Sequence, residues 1–182
     1  MKRRLFIWIM ILLIALSPKC FGEGLNPDNQ EKSTICLIDL YSNFLTNIND
    51  ATGYKSVIED AAGLIKIDEI ESVIEAMTPV TDFCNIGFVT YSADGSNTLS
   101  STSKAHLWGK IVFDDRNPYV VFIIDMKTRF LSIYTNLKNE LIDLKRMNTI
   151  TDEVHLFATN GEYGTCACEA FSRIYKAIEG KE

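Results

Sequence analysis

The stretch from Asn117 to Thr135 constrains the fold more than any other part of the sequence. Its first half, Tyr119 to Ile124, is a continuous apolar run rich in β-branched and aromatic residues, which is typical of a strand buried on both faces. The polar residues 125–128 suit a turn, and Arg129 to Thr135 then alternates between two faces, as a half-buried strand does. The stretch therefore predicts a central antiparallel hairpin around which the other elements pack.

The apolar pattern of the remaining chain predicts helices and one more strand. Apolar residues recur at helical spacing in five segments: 34–48, 67–77, 104–109, 138–147 and 164–179. Residues 83–91 predict a strand, in which Gly87 suits a bulge. Residues 110–113 predict a short strand or a loop, residues 148–158 are irregular or briefly helical, and residues 56–64 are too mixed for an assignment.

The order of these elements predicts an α/β fold. The strand at 83–91 and the first strand of the hairpin are joined by a crossover, so we expect them to run parallel, while the hairpin adds an antiparallel strand. The predicted architecture is a three-layer α/β/α-type sandwich around a small mixed sheet. A length of 182 residues favours one domain of ordinary size.

The first 22 residues have the layout of a secretory signal peptide. The basic residues 2–4 precede a twelve-residue apolar run, Leu5 to Leu16, and Gly22 is a small residue suited to cleavage before Glu23. The run is short for a membrane span, and an uncleaved signal anchor is the alternative. We expect an exported protein of the periplasm or cell envelope that meets the membrane only through such an anchor.

The charge balance changes when this leader is removed. The full sequence has 18 basic and 24 acidic residues, a formal charge of −6. Residues 1–22 contain four of the basic residues and no acidic residue, so the mature chain has 14 basic against 24 acidic residues, a formal charge of −10. An acidic exported domain argues against nucleic acid and anionic membrane surfaces as partners. Cationic partners and divalent metals are compatible with it.

Four cysteines remain in the mature chain: Cys36, Cys84, Cys166 and Cys168. In an oxidising compartment they permit two disulfides, with three connectivities. The Cys-x-Cys spacing of the last two differs from the Cys-x-x-Cys spacing of zinc and thioredoxin-type sites. We expect one disulfide that joins the segment of this pair to Cys36 or to Cys84, in preference to catalytic thiols.

Five segments follow one another in an order that resembles a known family. Ile58 to Leu64 has an apolar residue, two acids and Ala-Ala-Gly-Leu before a Glu-rich helix, and Trp108-Gly109 lies between two predicted strands. Val120 to Asp125 is an apolar strand with an acidic turn, followed by Arg129. Each piece is short, so the resemblance depends on their common order together with the two segments that follow.

The remaining two segments complete the resemblance. Glu140 and Asp143 have the spacing of a Thr-Gly-x-Gly-x-Glu segment and its following aspartate, and residues 157–178 join an aromatic residue, a Gly-Glu-Tyr turn and an Ala-rich helix. Together the segments resemble the TPM domain, an exported α/β domain of bacterial envelope proteins and of a thylakoid lumen protein in the photosystem II repair cycle. The resemblance covers residues 56–180, which leaves residues 23–55 as an N-terminal helical extension. Asn136 and Lys138 stand where the family commonly has glycines.

The resemblance implies a calcium-binding or acid-phosphatase-like site built from acids. Hard divalent cations take several oxygen ligands, and carboxylates at strand ends of an open α/β sheet can supply them. The candidate metal ligands are Asp60, Asp125, Glu140 and Asp143. Arg129 is the candidate group for positioning a phosphate or a carboxylate.

Two functions follow as hypotheses from these features. The first is an exported TPM-like domain that works as a binding or assembly module for an envelope partner, stabilised by a divalent metal such as Ca²⁺. The alternative is a metal-assisted acid phosphatase of low activity that acts on a phosphate-bearing substrate. No catalytic residue is assigned, because the sequence has no Gly-x-Ser-x-Gly elbow, phosphate-cradling glycine loop or His-Glu-x-x-His helix. A disulfide-stabilised interaction domain without metal is a third hypothesis.

Overall fold

The computed structural model describes residues 44–93, 99–137 and 140–180. In these ranges a five-stranded mixed sheet is flanked by helices on both faces. The strands are β1 (Phe44–Ile48), β2 (Lys55–Asp60), β3 (Asn85–Tyr91), β4 (Tyr119–Asp125) and β5 (Phe130–Thr135). The helices are α1 (Ile70–Met77), α2 (Ser101–Phe113), α3 (Leu144–Thr159) and α4 (Tyr163–Glu179).

The strands lie in the sheet in the same order as in the chain. β2, β3 and β4 run parallel to one another, and β1 and β5 pair antiparallel with them at the two edges. The parallel pairing of β3 with β4 is as predicted. It follows from the crossover through α2, because parallel strands cannot be joined by a tight turn.

Alternate strand residues build one core on each face of the sheet. On one face, α1, α3 and α4 cover a cluster in which Phe88 and Phe122 stack at 5.8 Å between ring centroids and Phe171 meets both edge-on. On the other face α2 covers a smaller cluster around Trp108 and Tyr119. The predicted three-layer α/β/α arrangement is confirmed.

The predicted hairpin is confirmed, but it is not central. β4 and β5 pair from Val120 with Thr135 to Asp125 with Phe130, so the turn comprises residues 126–129. β3 occupies the centre of the sheet and β5 is an edge strand. The apolar run of β4 required a helix layer on each face, and a strand that is second from the edge of the sheet meets that requirement as well as a central strand does.

The predicted helix at 34–48 is wrong over its last five residues, which form β1. Phe44 packs toward the α2 face and Leu45 toward the opposite face, which is strand alternation. Residues 34–43 lie outside the described residues. The unassigned segment at 56–64 contains most of β2, so residues 44–55, placed in the N-terminal extension by the sequence, contribute to the sheet.

The crossover helix α2 is longer than predicted. Residues 110–113, predicted as a strand or loop, continue the helix from Ser101 to Phe113, and the hydroxyl of Ser100 caps its start by accepting the Ser103 amide. Gly87 is not a bulge, because it pairs in regular register with both neighbouring strands. A Cβ at Gly87 would lie 2.8 Å from Cη2 of Trp108, so the glycine is required for close packing of α2 on β3.

Helix α3 begins later and extends further than predicted. The sequence predicted a helix at 138–147 and an irregular or briefly helical segment at 148–158, whereas one continuous helix, α3, comprises Leu144–Thr159. The Asp143 side chain caps its first turn by accepting the Arg146 amide at 2.7 Å. The apolar stripe of α3 is narrow, and its buried residues are Met147, Ile150 and Val154. The polar residues between them hide the helical period in the sequence.

The two remaining helix predictions are confirmed with small changes. Residues 67–77 form a 3₁₀ turn at Ile67–Glu69 followed by α1, and the helix at 164–179 is α4. Gly180 ends α4 in the left-handed conformation, with φ 72°. In the described ranges no helix is long and apolar enough to cross a membrane, and the apolar leader lies outside them.

The sequence predicted a disulfide from the Cys166–Cys168 segment to Cys36 or to Cys84, but the thiols of Cys84, Cys166 and Cys168 are all free. Cys36 lies outside the described residues. Burial raises the pKa of Cys84 and of Cys166 to about 12, so both thiols stay protonated at neutral pH. Because the thiolate is the reactive form, these two cysteines act as small apolar core residues.

Replacing Gly87 with alanine tests the close packing of α2 on the sheet. We expect Gly87→Ala to lower the free energy of unfolding by roughly 1–3 kcal/mol, because the added methyl group displaces the Trp108 ring. Urea unfolding measures the change. In a Trp108→Leu background, which removes the clashing atoms, the cost of Gly87→Ala should become smaller; an equal cost in both backgrounds would contradict the assignment.

Candidate functional site

The carboxyl end of β4 carries a buried ion pair. Nζ of Lys104, on α2, lies 2.6 Å from Oδ2 of Asp125, and the exposed fractions of the two side chains are 2% and 0%. The Lys104 ammonium also lies 5.0 Å from the ring centroid of Tyr91. Desolvating two charges costs several kcal/mol per ion, so the geometry of the pair and its hydrogen bonds must compensate.

Hydrogen bonds satisfy the rest of the Asp125 carboxylate. The Ser101 hydroxyl donates to Oδ2 at 3.1 Å, and the backbone N–H groups of Lys127 and Thr128 donate to Oδ1 at 3.1 and 3.4 Å. Burial raises the pKa of Asp125, but the bonds from Lys104, Ser101 and Thr128 outweigh it and hold the pKa below its ordinary value. Asp125 is therefore ionised and joins α2 to the hairpin turn.

Asp60, the second predicted metal ligand, lies on the other face of the sheet. Asp60 pairs with Thr90, whereas Asp125 pairs with the next residue, Tyr91, so their side chains point in opposite directions. The Asp60 carboxylate accepts the Thr90 hydroxyl and the backbone N–H groups of Leu64 and Ile65, at 2.5 to 2.9 Å. These bonds order the loop that follows β2.

The other two predicted ligands lie beyond β5, away from Asp125. β5 ends at Thr135 beside Val120, at the opposite end of β4 from Asp125. Glu140 is exposed in the following turn, and Asp143 caps α3. The four acids therefore do not fit a single cation. Among the described residues, no group of three or more Asp, Glu, His or Cys side chains is placed to hold a metal.

A groove of about 800 Å³ lies between the β4–β5 turn and α3, and we call it the hairpin groove. Its strand side is formed by Ile124, Asp125, Met126, Arg129, Phe130 and Leu131. Its helix side is formed by Asn148, Thr151, Asp152, His155, Ala158, Thr159 and, at the start of α4, Tyr163. This volume is within the range of small-ligand sites, about 300–1,000 Å³.

Arg129, the predicted ligand-positioning residue, borders the hairpin groove and is exposed. The Asp125 carboxylate points to the α2 face, where it pairs with Lys104, and it does not pair with Arg129. Across the described ranges, the Arg129 guanidinium makes no hydrogen bond or ion pair. The sequence therefore identified a groove residue, while the acids it grouped with Arg129 lie elsewhere.

Sequence reasoning missed Lys104 and the polar side of α3. Lys104 stands on the buried stripe of α2 beside Ala105 and Trp108, and a charged residue at an apolar position was a usable signal for a buried pair. His155 on α3 borders the groove, and its Nδ1 lies 2.5 Å from the Asp152 carbonyl. Since a carbonyl only accepts, Nδ1 is the donor in this bond.

Comparison with known proteins supports the fold. No protein-family model matches the chain, and no curated protein matches it. The solution NMR structure of the N-terminal domain of a protein from P. gingivalis matches 68% of this chain and 82% of that one, with 18% identity and a TM-score of 0.55. The N-terminal domain of the cg2496 protein from Corynebacterium glutamicum matches over 69% and 81%, with 9% identity and a TM-score of 0.52. At these identities the similarity shows a shared fold alone.

Removing both members of the buried pair should cost less than the sum of the costs of removing each one alone. We expect Lys104→Met to lower the free energy of unfolding by about 3–5 kcal/mol, because it leaves a buried carboxylate without its counter-charge. The double variant Lys104→Met/Asp125→Asn should cost less than the sum of the two single variants. Urea unfolding of the four proteins measures this coupling, and additive costs would contradict the assigned pairing.

Proposed function

We propose that this protein is an exported TPM-like domain that works as a binding or assembly module in the cell envelope. The observation that carries the proposal is the hairpin groove, whose exposed Arg129 has its guanidinium unpaired among the described residues. Ligands of open α/β sheets gather at the carboxyl ends of parallel strands, and the groove lies at that end of β4. The partner would be recognised there.

The TPM part of the proposal is supported by the order of the matching segments. Trp108-Gly109 lies on the crossover helix between two parallel strands, and Val120 to Asp125 forms β4 with Arg129 in the following turn. Two solved N-terminal domains, from P. gingivalis and Corynebacterium glutamicum proteins, share the fold. Export is supported by the leader at residues 1–22, and stabilisation by Ca²⁺ stays a prediction.

A photoreactive side chain in the groove tests whether a partner binds there. Asn148 on α3 borders the groove and is exposed, while Ile111 on α2 is 82% exposed on the opposite face of the sheet. We expect p-benzoylphenylalanine at position 148, irradiated in the cells that make the protein, to form a defined adduct in the envelope fraction. The same residue at position 111 is the matched control. Equal adducts from both positions, or none from position 148, would count against the groove.

The alternative function, a metal-assisted acid phosphatase, is favoured by one observation: Arg129 and His155 border the same groove and suit a phosphate. The pairing of Asp125 with Lys104 makes Asp125→Asn a poor control, because that change disturbs the fold as well as the site. Arg129→Gly is the cleaner control, since the residue is exposed at a turn.

Phosphomonoester turnover and calcium-dependent melting together test this alternative. The phosphatase hypothesis expects turnover that requires a divalent metal and is lost in Arg129→Gly. It also expects a higher melting temperature with Ca²⁺ than with chelator, because a ligand at a hundredfold excess over its Kd stabilises the folded state by about 2.7 kcal/mol. Absence of turnover, with or without a calcium shift, is the result expected for the binding module, because stabilisation by Ca²⁺ is predicted for that module as well.

A further inference from the structure

Arg129 occupies a backbone position that is unfavourable for an arginine. It is the last residue of the β4–β5 turn and has φ 56°, in the left-handed region. The Cβ of an L-residue is sterically unfavourable in this conformation, whereas glycine adopts it readily. Arg129 is also exposed, and among the described residues its guanidinium is unpaired. Since the side chain does not stabilise the fold and its backbone is strained, we expect the side chain to bind a ligand.

The two sides of the hairpin groove differ in chemistry. Beside Arg129, the strand side presents the apolar side chains of Ile124 and Leu131, which also pack against the core. The helix side presents amide and hydroxyl groups from Asn148 and Thr151. A guanidinium next to an apolar wall, with hydrogen-bonding groups opposite, is an environment that suits a carboxylate, an apolar side chain and a peptide backbone together.

The charges around the groove favour an anion with a single charge. The Asp125 carboxylate is compensated by Lys104 and does not repel a ligand at Arg129. Asp152 on the opposite wall is exposed and has no compensating partner among the described residues, so it repels a dianion more than a monoanion. The acidic balance of the whole chain acts in the same direction.

We propose that the hairpin groove binds the carboxyl-terminal end of a partner chain whose last residue is apolar. The terminal carboxylate receives two parallel N–H bonds from the Arg129 guanidinium, and the last side chain lies against Ile124 and Leu131. The proposal rests on the function proposed above and names the chemistry of the partner. A groove of about 800 Å³ accommodates a ligand the size of a short chain end.

A matched pair of peptides tests the role of the carboxylate. N-acetyl-Ala-Ala-Phe with a free carboxyl terminus and the same peptide with an amidated terminus differ in that charge alone. We expect the free acid to bind the purified protein about tenfold or more tightly than the amide, because only the acid forms the bidentate contact. Titration followed by ¹⁵N-resolved NMR measures both Kd values, and the shifts should concentrate in the hairpin turn and α3.

Variants of the turn separate the role of Arg129 from general charge. Arg129→Gly should weaken binding of the free acid about tenfold or more, and its melting temperature should stay the same or rise because the left-handed strain is relieved. Lys127→Ala removes the same charge from the same turn at a residue that does not border the groove, and should change the Kd by less than about twofold. Arg129→Lys keeps the charge and the backbone strain but loses the fork, so it should bind with intermediate affinity.

Several results would overturn the inference. The first is an equal Kd for the peptide acid and the amide. The second is an equal loss of affinity for the peptide acid in Arg129→Gly and Lys127→Ala. The third is phenylacetate binding as tightly as the peptide acid, which would assign the groove to small carboxylates. Tighter binding of phenyl phosphate than of phenylacetate at pH 7.5 would assign it to dianions. If any of these occurs while the adduct at position 148 persists, the chain-end inference fails and the binding module stands. If the adduct is also absent, both fail.

Discussion

β4 is buried along its whole length on both faces, and most of the architecture follows from the need to cover it. A strand of this kind requires a neighbour on each side and a layer of helices above and below. β3 and β5 are the neighbours, α2 covers one face, and α1, α3 and α4 cover the other. The close approach of α2 then requires Gly87, because any side chain there would meet Trp108.

At the carboxyl ends of the parallel strands, two acidic side chains join secondary-structure elements to one another. They are therefore not available to bind a ligand, and a binding site has to lie elsewhere. Asp125 joins α2 to the hairpin turn through Lys104. Asp60 orders the loop after β2 through two backbone N–H bonds and also accepts the Thr90 hydroxyl from β3. Both acids look like metal ligands in the sequence, and both are satisfied within the fold. The exposed chemistry lies instead in the hairpin groove, where Arg129 faces the polar residues of α3.

The elements that the sequence predicted well have a strong and regular apolar pattern. The hairpin, α1 and α4 are of this kind, and so is β3. The predictions failed where the apolar pattern of the sequence is weak. β1 has five residues, which are too few to distinguish strand alternation from the helical period. α3 has a narrow apolar stripe that threonine, aspartate and histidine interrupt. Among the site residues, Arg129 could be identified from its position after an acidic turn. The pairing of Lys104 with Asp125 could not be predicted, because the two residues are 21 positions apart in the sequence and meet only when the crossover helix packs on the sheet.

The sequence by itself determined the fold class, because burial of β4 and the crossover to it leave little choice beyond a mixed sheet between helices. It also specified the acidic balance and the leader-like first 22 residues. Only the tertiary structure decided which strand is central, which face each acid points to, and that Arg129 has no acid to bind among the described residues. Those properties depend on strand register and on helix placement, and a one-residue change of register moves every side chain of a strand to the other face.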